Sequence, residues 1–164
     1  MSLTELSFEE LKQELIDELK QQPTGALATS DGEDVTARFM GLFSDGLTIY
    51  CFAFQTSRKC RQISVNPNVS IATGNLQIDG TATLGHPLDE ENTRFVEIYK
   101  ERMPEYFKIA ESVHFPKKSE RVIEITPRRI SKFNNGNFDI LNIPKEKAHK
   151  IEFFSAYTAP EYHE

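Results

Sequence analysis

The first apolar pattern in the chain has a helical period. Phe8, Leu11, Leu15 and Leu19 fall on one face of SFEELKQELIDELKQQP, and Ser7 with Glu10 forms a capping-box pattern at its start. This predicts an amphipathic helix that ends before Pro23 and Gly25. The period then shortens to two. The runs TGALATS, VTARFMGLF and LTIYCFAF are separated by the polar turns DGED and SDG, which predicts an antiparallel meander. In the middle run Val35, Ala37, Phe39, Gly41 and Phe43 share one face, and Thr36, Arg38, Met40 and Leu42 the other.

FQTSRKCRQISVNP interrupts the strands. Thr56 and Ser57 read as caps and Pro67 as the far boundary, so a short helix is expected over 57–66. NVSIATG and LQIDGTATLG resume the alternation. Pro87-Leu88-Asp89 opens a second helical region, with Phe95, Ile98 and Tyr99 as the apolar side of DEENTRFVEIYKERM. Pro104 breaks that helix, and EYFKIAES predicts a further short one. ERVIEITPRRISKFN reads as two strands with Pro127 at an edge or bulge. FDILNIP reads as extended, and AYTAPEYHE as a loose tail.

About seven short strands with helices inserted between them predict a mainly β fold. The expected architecture is an antiparallel barrel and not a parallel α/β sheet. A single domain over residues 1–164 is expected, with an N-terminal helix at 1–23, the barrel at 24–135 and a C-terminal extension at 136–164.

Composition narrows the function. The 164 residues suffice for one substantial core. No stretch approaches the ~20 apolar residues of a membrane span. The acidic N-terminus lacks a signal peptide's basic start and apolar core. The two cysteines, Cys51 and Cys60, suggest no disulfide framework, so a reducing cytoplasm is the expected location. A net charge of −6 argues against a broad nucleic-acid surface. Against that background the cations at 58–61 stand out, and a small anion suits them better than a polyanion.

Helix starts attract acids because their free N–H groups carry partial positive charge. Here the first turn holds Arg58, Lys59 and Arg61. An anion at the helix start would turn this repulsion into attraction, drawing on free N–H groups, a hydroxyl and two cations. The alternative is that the cations snorkel into solvent at a dipole cost of only ~0.3–1 kcal/mol. Arg38 poses a second question, since a charge in the middle of a largely apolar strand needs a partner. A structural carboxylate or an anion would serve. Gly41 nearby would let a flat group approach the backbone closely.

Other chemistry finds little support. His86, His114, His149 and His163 include no close pair at ligand spacing, and HExxH, CxxC, GxSxG, P-loop and GxGxxG patterns are missing. The acids of DEEN and EEL sit where helix starts explain them. Both cysteines read as buried structural thiols.

The order GALATSDGEDVTARFMGLF, LTIYCFAFQTSRKCRQISVNPNVSIAT, LQIDGTATL and RVIEITPRRISKF resembles the pyridoxamine 5′-phosphate oxidase-like, FMN-binding split-barrel superfamily, and within it the general stress protein type. The resemblance covers roughly residues 24 to 135. Its most specific pieces are the SRK triplet, the NP-x-VS start of the next strand and the G-x-A after it. It implies a split β-barrel that pairs into a homodimer with two composite FMN sites.

Position by position, the resemblance implies that Arg38 reaches toward the flavin and its phosphate. Phe39, Met40 and Gly41 would lie along the ring edge, and Phe52 and Ala53 match the family's segment at the end of the third strand. Ser57, Arg58 and Lys59 match the phosphate grip, and Asn75 a polar residue that contacts the ring. Under this reading the cation cluster and Arg38 share one anion. The implied function is an FMN-dependent oxidoreductase acting on a small substrate, with neither nucleic acid nor membrane as partner.

True pyridoxine-phosphate oxidases carry a C-terminal Arg-and-His substrate motif and a flavin-contacting Trp. This chain has no Trp, and KIEFFSAYTAPEYHE offers no such pair. The vitamin B6 reaction is therefore not expected. Phe153, Phe154 or Tyr157 would be candidates to complete a partner's site. The alternatives are an FMN storage or sensing protein without turnover, and a barrel that holds haem or deazaflavin F420.

Overall fold

The computed structural model describes residues 2–152. The chain opens with strand β1 (Ser2–Leu6) and helix α1 (Phe8–Leu19), followed by β2 (Thr24–Ser30), β3 (Val35–Gly41), β4 (Phe43–Asp45) and β5 (Thr48–Phe54). Helix α2 (Arg58–Val65), β6 (Asn68–Thr73) and β7 (Leu76–Pro87) come next. Helices α3 (Thr93–Arg102) and α4 (Pro104–Ile109) run into a π-type turn at Ala110–His114. The chain then returns through β8 (Glu120–Asn134), β9 (Asn137–Asn142) and β10 (Lys147–Glu152).

The strands form one antiparallel sheet in the order β1-β10-β9-β8-β7-β6-β2-β3, with β5 pairing β8 and β4 pairing β5. β8 is the long spine. Its Glu120–Ile125 half pairs β5, and its Arg129–Asn134 half pairs β9. Pro127 falls where the partner changes, opposite Gly80, and the register with β7 shifts there. A residue without an N–H is tolerated because neither β5 nor β9 pairs with β8 at that point. The segment expected as two strands is therefore a single strand with a bulge.

β3 and β4 continue one another but belong to different pairings. β3 pairs β2, whereas β4 pairs β5. The chain crosses over at Leu42, whose N–H donates to the Pro23 carbonyl at 2.9 Å. β3 and β5 approach one another without sharing a ladder. The sheet thus stays open along that seam, a split antiparallel barrel.

The core follows from the alternation. Leu27, Ile49, Cys51, Ile71, Ile78, Ile123, Ile125 and Ile130 are essentially sealed inside, and Leu11, Leu15 and Leu19 of α1 pack onto them. The Ser7 hydroxyl caps α1 by accepting from the Glu10 N–H at 3.3 Å. A second, aromatic cluster forms under α3 and α4, where Phe43, Phe95, Tyr99, Phe107 and Phe115 are buried and Phe52 packs against them. Phe43 joins this cluster because the chain turns at Leu42, which parts it from the exposed Val35, Ala37, Phe39 and Gly41.

Two sequence readings need adjustment here. β1 precedes α1 and pairs β10, so residues 1–23 are not helix alone. β7 also runs on to Pro87, and α3 starts only at Thr93.

Candidate functional site

β3 is the last strand of its sheet, and its inward face meets β2. Arg38 stands opposite Leu27, and Thr36 opposite Thr29. The guanidinium Nη1 donates to the Leu27 carbonyl at 3.1 Å and to the Thr29 hydroxyl at 2.7 Å. Its Nη2 donates to the Thr36 hydroxyl. These partners are neutral, and Arg38 forms no ion pair among the described residues. Burial, and then the nearby charge of Arg58, hold its pKa below the ordinary arginine value. Hydroxyls and a carbonyl satisfy the N–H groups but leave the positive charge uncompensated.

Gln62 ties this strand to α2. It is buried, and its Oε1 accepts from the Thr29 and Thr36 hydroxyls at 2.7 Å each. Its Nε2 donates to the Asp34 carbonyl at 3.2 Å. Thr29 and Thr36 therefore accept from Arg38 and donate to Gln62, which fixes the sense of the network. The amide thereby holds α2 against the β2–β3 pair beside Arg38.

The start of α2 answers the question its cations raise. Ser57 is the N-cap, and its hydroxyl accepts from the Cys60 N–H at 3.4 Å. Arg58 reaches Asp34 at 2.8 Å, an exposed pair. Asp34 belongs to the DGED turn, where the Asp31 carboxylate accepts the N–H groups of Asp34 and Glu33. Those N–H groups hold the Asp31 carboxyl below the usual carboxylate range. Lys59 is half-buried and has neither a hydrogen bond nor an ion pair among the described residues. Its charge acts on Cys51 of β5, although burial dominates and pushes that thiol up to about 12. The fields of Arg58 and Lys59 thus reach strands on the two lips of the seam, β3 and β5.

Phe39 and Gly41 lie on the opposite face of β3 from Arg38 and Met40, with Phe39 81% exposed. A Cβ at Gly41 would meet only the Phe43 ring, at 3.8 Å, so packing does not demand glycine there. Phe52 and Ala53 sit on β5 and pair Val122 and Arg121 of β8. On its other edge β5 pairs β4 only as far as Tyr50, so its backbone at 52–53 borders the seam. Phe52 packs into the aromatic cluster, and Ala53 into the main core.

Asn75 stands apart. It follows Gly74 in the β6–β7 turn, and its amide donates to the Phe133 carbonyl at 2.7 Å. β6 and β2 lie between it and β3, roughly 14 Å across three strand spacings. The structure brings together Arg38, Ser57, Arg58 and Lys59, but not Asn75. Phe153, Phe154 and Tyr157 lie outside the described residues.

The sequence reading missed Thr29, Thr36 and Gln62. Thr36 shares a strand face with Arg38, and Gln62 follows Arg58 by one helical turn among apolar positions. A polar residue inside an apolar helix face was the available signal. The described residues include no cluster of His, Cys, Asp or Glu able to hold a metal ion, and both cysteines are free and buried. No described helix is long and apolar enough to cross a membrane. One cleft of 450 Å³ runs from Thr29 and Val35 of the β2–β3 pair to Ser70 and Asp79, and another of 630 Å³ lies between α1 and α3.

The chain is 36% identical over 69 residues to General stress protein 26 of Bacillus subtilis (strain 168), a match spanning 42% of this chain and 49% of that protein. The match thus spans about half the length of that relative. A solved structure described as a putative pyridoxamine 5′-phosphate oxidase from Listeria innocua is 26% identical, with a TM-score of 0.60 over 76% of this chain and 99% of that one. General Stress Protein 26 from Bacillus anthracis str. Sterne is 19% identical, with a TM-score of 0.64 over 82% of this chain and 99% of that one.

More distant folds of this kind bear varied cofactor names. A FAD-binding protein from Mesorhizobium loti is 13% identical with a TM-score of 0.57, covering 93% of this chain and 100% of that one. A heme storage protein from Vibrio cholerae is 18% identical with a TM-score of 0.57, covering 71% and 89%. An F420 reductase is 19% identical with a TM-score of 0.56, covering 71% and 96%. The model of the pyridoxamine 5′-phosphate oxidase family matches residues 11–134, most of the chain, and the protein therefore belongs to that family.

Proposed function

We propose that the protein is an FMN-binding flavoprotein that works as a homodimer with composite cofactor sites and carries out redox chemistry on a small molecule. The observation that carries this reading is the uncompensated charge of Arg38, held by Gln62 and two threonines beside Arg58. A phosphate dianion would neutralise Arg38, Arg58 and Lys59 together and accept from the Ser57 hydroxyl and the free N–H groups of α2. The residues present fit that group.

The flat part of the cofactor would run along the seam. Backbone of Phe39, Met40 and Gly41 on one lip and of Phe52 and Ala53 on the other borders it, and Gly41 leaves the approach open. Asn75, remote in its own protomer, would serve a site completed across the dimer. Val35 at 73% and Phe39 at 81% exposure give the outer face of β3 an apolar surface for that partner to cover.

Bound flavin would supply hydride or single-electron transfer, so the protein needs little acid–base machinery of its own. The chain's residues would bind the phosphate, orient the ring and exclude water from the seam. Arg38 would place positive charge near the cofactor and favour its reduced, anionic form. The vitamin B6 reaction is not proposed, since the chain has neither a Trp nor an Arg after Arg129. The test is to release the cofactor from purified protein, identify it, and titrate the stripped protein with FMN and riboflavin. Tighter FMN binding is expected. Equal affinities would remove the phosphate grip, and recovery of haem or F420 would replace the reading.

A further inference from the structure

Helix α2 carries cations on both flanks, and only one flank belongs to the seam. Arg58 and Gln62 face the β2–β3 side through Asp34 and Thr36. On the other flank Gln55, Cys60, Arg61, Ser64, Leu84 and Arg121 line a cleft of about 360 Å³. Two guanidiniums and no carboxylate form its charged lining. Arg61 Nη1 donates to the Thr56 carbonyl at 2.6 Å, and Arg121 Nη1 to the Gly85 carbonyl at 3.1 Å. Neither arginine makes an ion pair among the described residues.

Each guanidinium thus commits a single donor nitrogen to the protein and keeps its remaining N–H groups for something else. Arg121 and Leu84 are half-buried and Cys60 is buried, so the inner wall is poorly hydrated. In an acidic chain, two arginines left without acids around one concavity cost charge repulsion unless an anion lies between them. Arginine forks match tetrahedral oxyanions in shape as well as charge. Gln55 and Ser64 add neutral polar groups at the rim.

We propose that this cleft is a second anion site, which binds the phosphate of a small phosphorylated molecule between Arg61 and Arg121. It stands apart from the cluster of Arg38, Ser57, Arg58 and Lys59 and does not depend on flavin. Its volume leaves room for the phosphate and part of the group that bears it. Arg121 pairs Ala53 on the β5 lip of the seam, so a phosphorylated substrate or effector bound here would bear on both α2 and that strand.

Calorimetric titration with inorganic phosphate, ionic strength held constant with chloride, tests the site on flavin-free protein. The wild type should take up two phosphates per chain. Arg38→Met with Lys59→Ala should abolish one and leave the other. Adding Arg121→Gln or Arg61→Gln to that background should weaken the remaining phosphate roughly tenfold or more, whereas Lys117→Gln should not. Glycerol 3-phosphate should bind at least as well as phosphate. If the double variant does not fold, Arg61→Gln alone, at an exposed position, must lower the wild-type count by one. Phosphate binding that is indifferent to both Arg61→Gln and Arg121→Gln, whatever its count, overturns the proposal, whereas a wild-type count of one that Arg61→Gln abolishes would instead remove the flavin-phosphate site.

Discussion

Gly80 of β7 faces the main chain of β8 so closely that a Cβ there would lie 2.7 Å from the Thr126 carbonyl oxygen. The contact falls beside Pro127, where β8 bulges and exchanges β5 for β9 as its partner. The glycine and the proline thus serve one feature: the first admits the bulged backbone, and the second needs no ladder partner.

Gly80→Ala should therefore destabilise the fold through the backbone, since no flexible side chain can yield. The expected cost is about 1–3 kcal/mol, the usual range for overpacking. Equilibrium urea unfolding measures it. A wild-type midpoint would show that β8 can move away from β7 without penalty.

Gln62 offers a sharper test, because one amide serves both the fold and the site. Gln62→Leu strips the acceptor from two threonine hydroxyls. The expected cost is about 1–3 kcal/mol of stability, with FMN binding lost alongside. Gln62→Glu should behave differently. It supplies the carboxylate that Arg38 lacks, so stability should hold at neutral pH while FMN affinity falls roughly tenfold or more. Melting temperature and FMN titration, taken together on both variants, separate the two effects.

The alternation and the turns made most of the barrel readable, from the Ser7 cap through the paired faces of Thr36 and Arg38. What stayed hidden depends on contacts distant in sequence. β1 reads as an unremarkable polar lead-in until β10 lies beside it. Pro127 reads as an edge or a bulge, and only its place opposite Gly80 shows that it marks a bulge within one continuous strand. Arg38 showed as an anomaly, but its neutral partners could not, because Gln62 comes from an element 24 residues onward. The cations of α2 were visible as a group. Only their partners, Asp34 for Arg58 and the Thr56 carbonyl for Arg61, divide the two arginines.

The acid limb of stability should depend on Asp45. Its two oxygens receive Arg94 Nε at 2.7 Å and Nη2 at 2.5 Å, and these bonds hold its carboxyl below the ordinary value. A depressed carboxyl contributes stability above its unfolded pKa and loses it as pH falls through the folded one. Asp45→Asn should thus lose stability at neutral pH and converge on the wild type only as pH falls below the ordinary carboxylate range, through the lowered folded value. Because both side chains are substantially exposed, the neutral-pH loss should be only about 0.2–1 kcal/mol. Parallel melting curves that never converge would assign the effect to packing instead.

Lys59 and Lys108 decide what the start of α2 is for. Both are lysines on short helices, but Lys108 is exposed and pairs with Glu105 at 3.0 Å. Lys59 is half-buried near the seam without an ion pair among the described residues. If the cations of α2 serve only solubility, Lys59→Ala should leave FMN affinity alone and slightly stabilise the flavin-free protein by relieving repulsion at the helix start. If they hold phosphate, Lys59→Ala should weaken FMN binding roughly tenfold, with less effect on riboflavin. The loss should be larger at low salt, where screening is least. The flavin-free protein should keep its melting temperature or gain a little. Lys108→Ala should change neither affinity nor stability appreciably. Titrations of both variants at two salt concentrations give the answer, and an unchanged FMN affinity in Lys59→Ala would leave the helix start with no ligand to explain its charge.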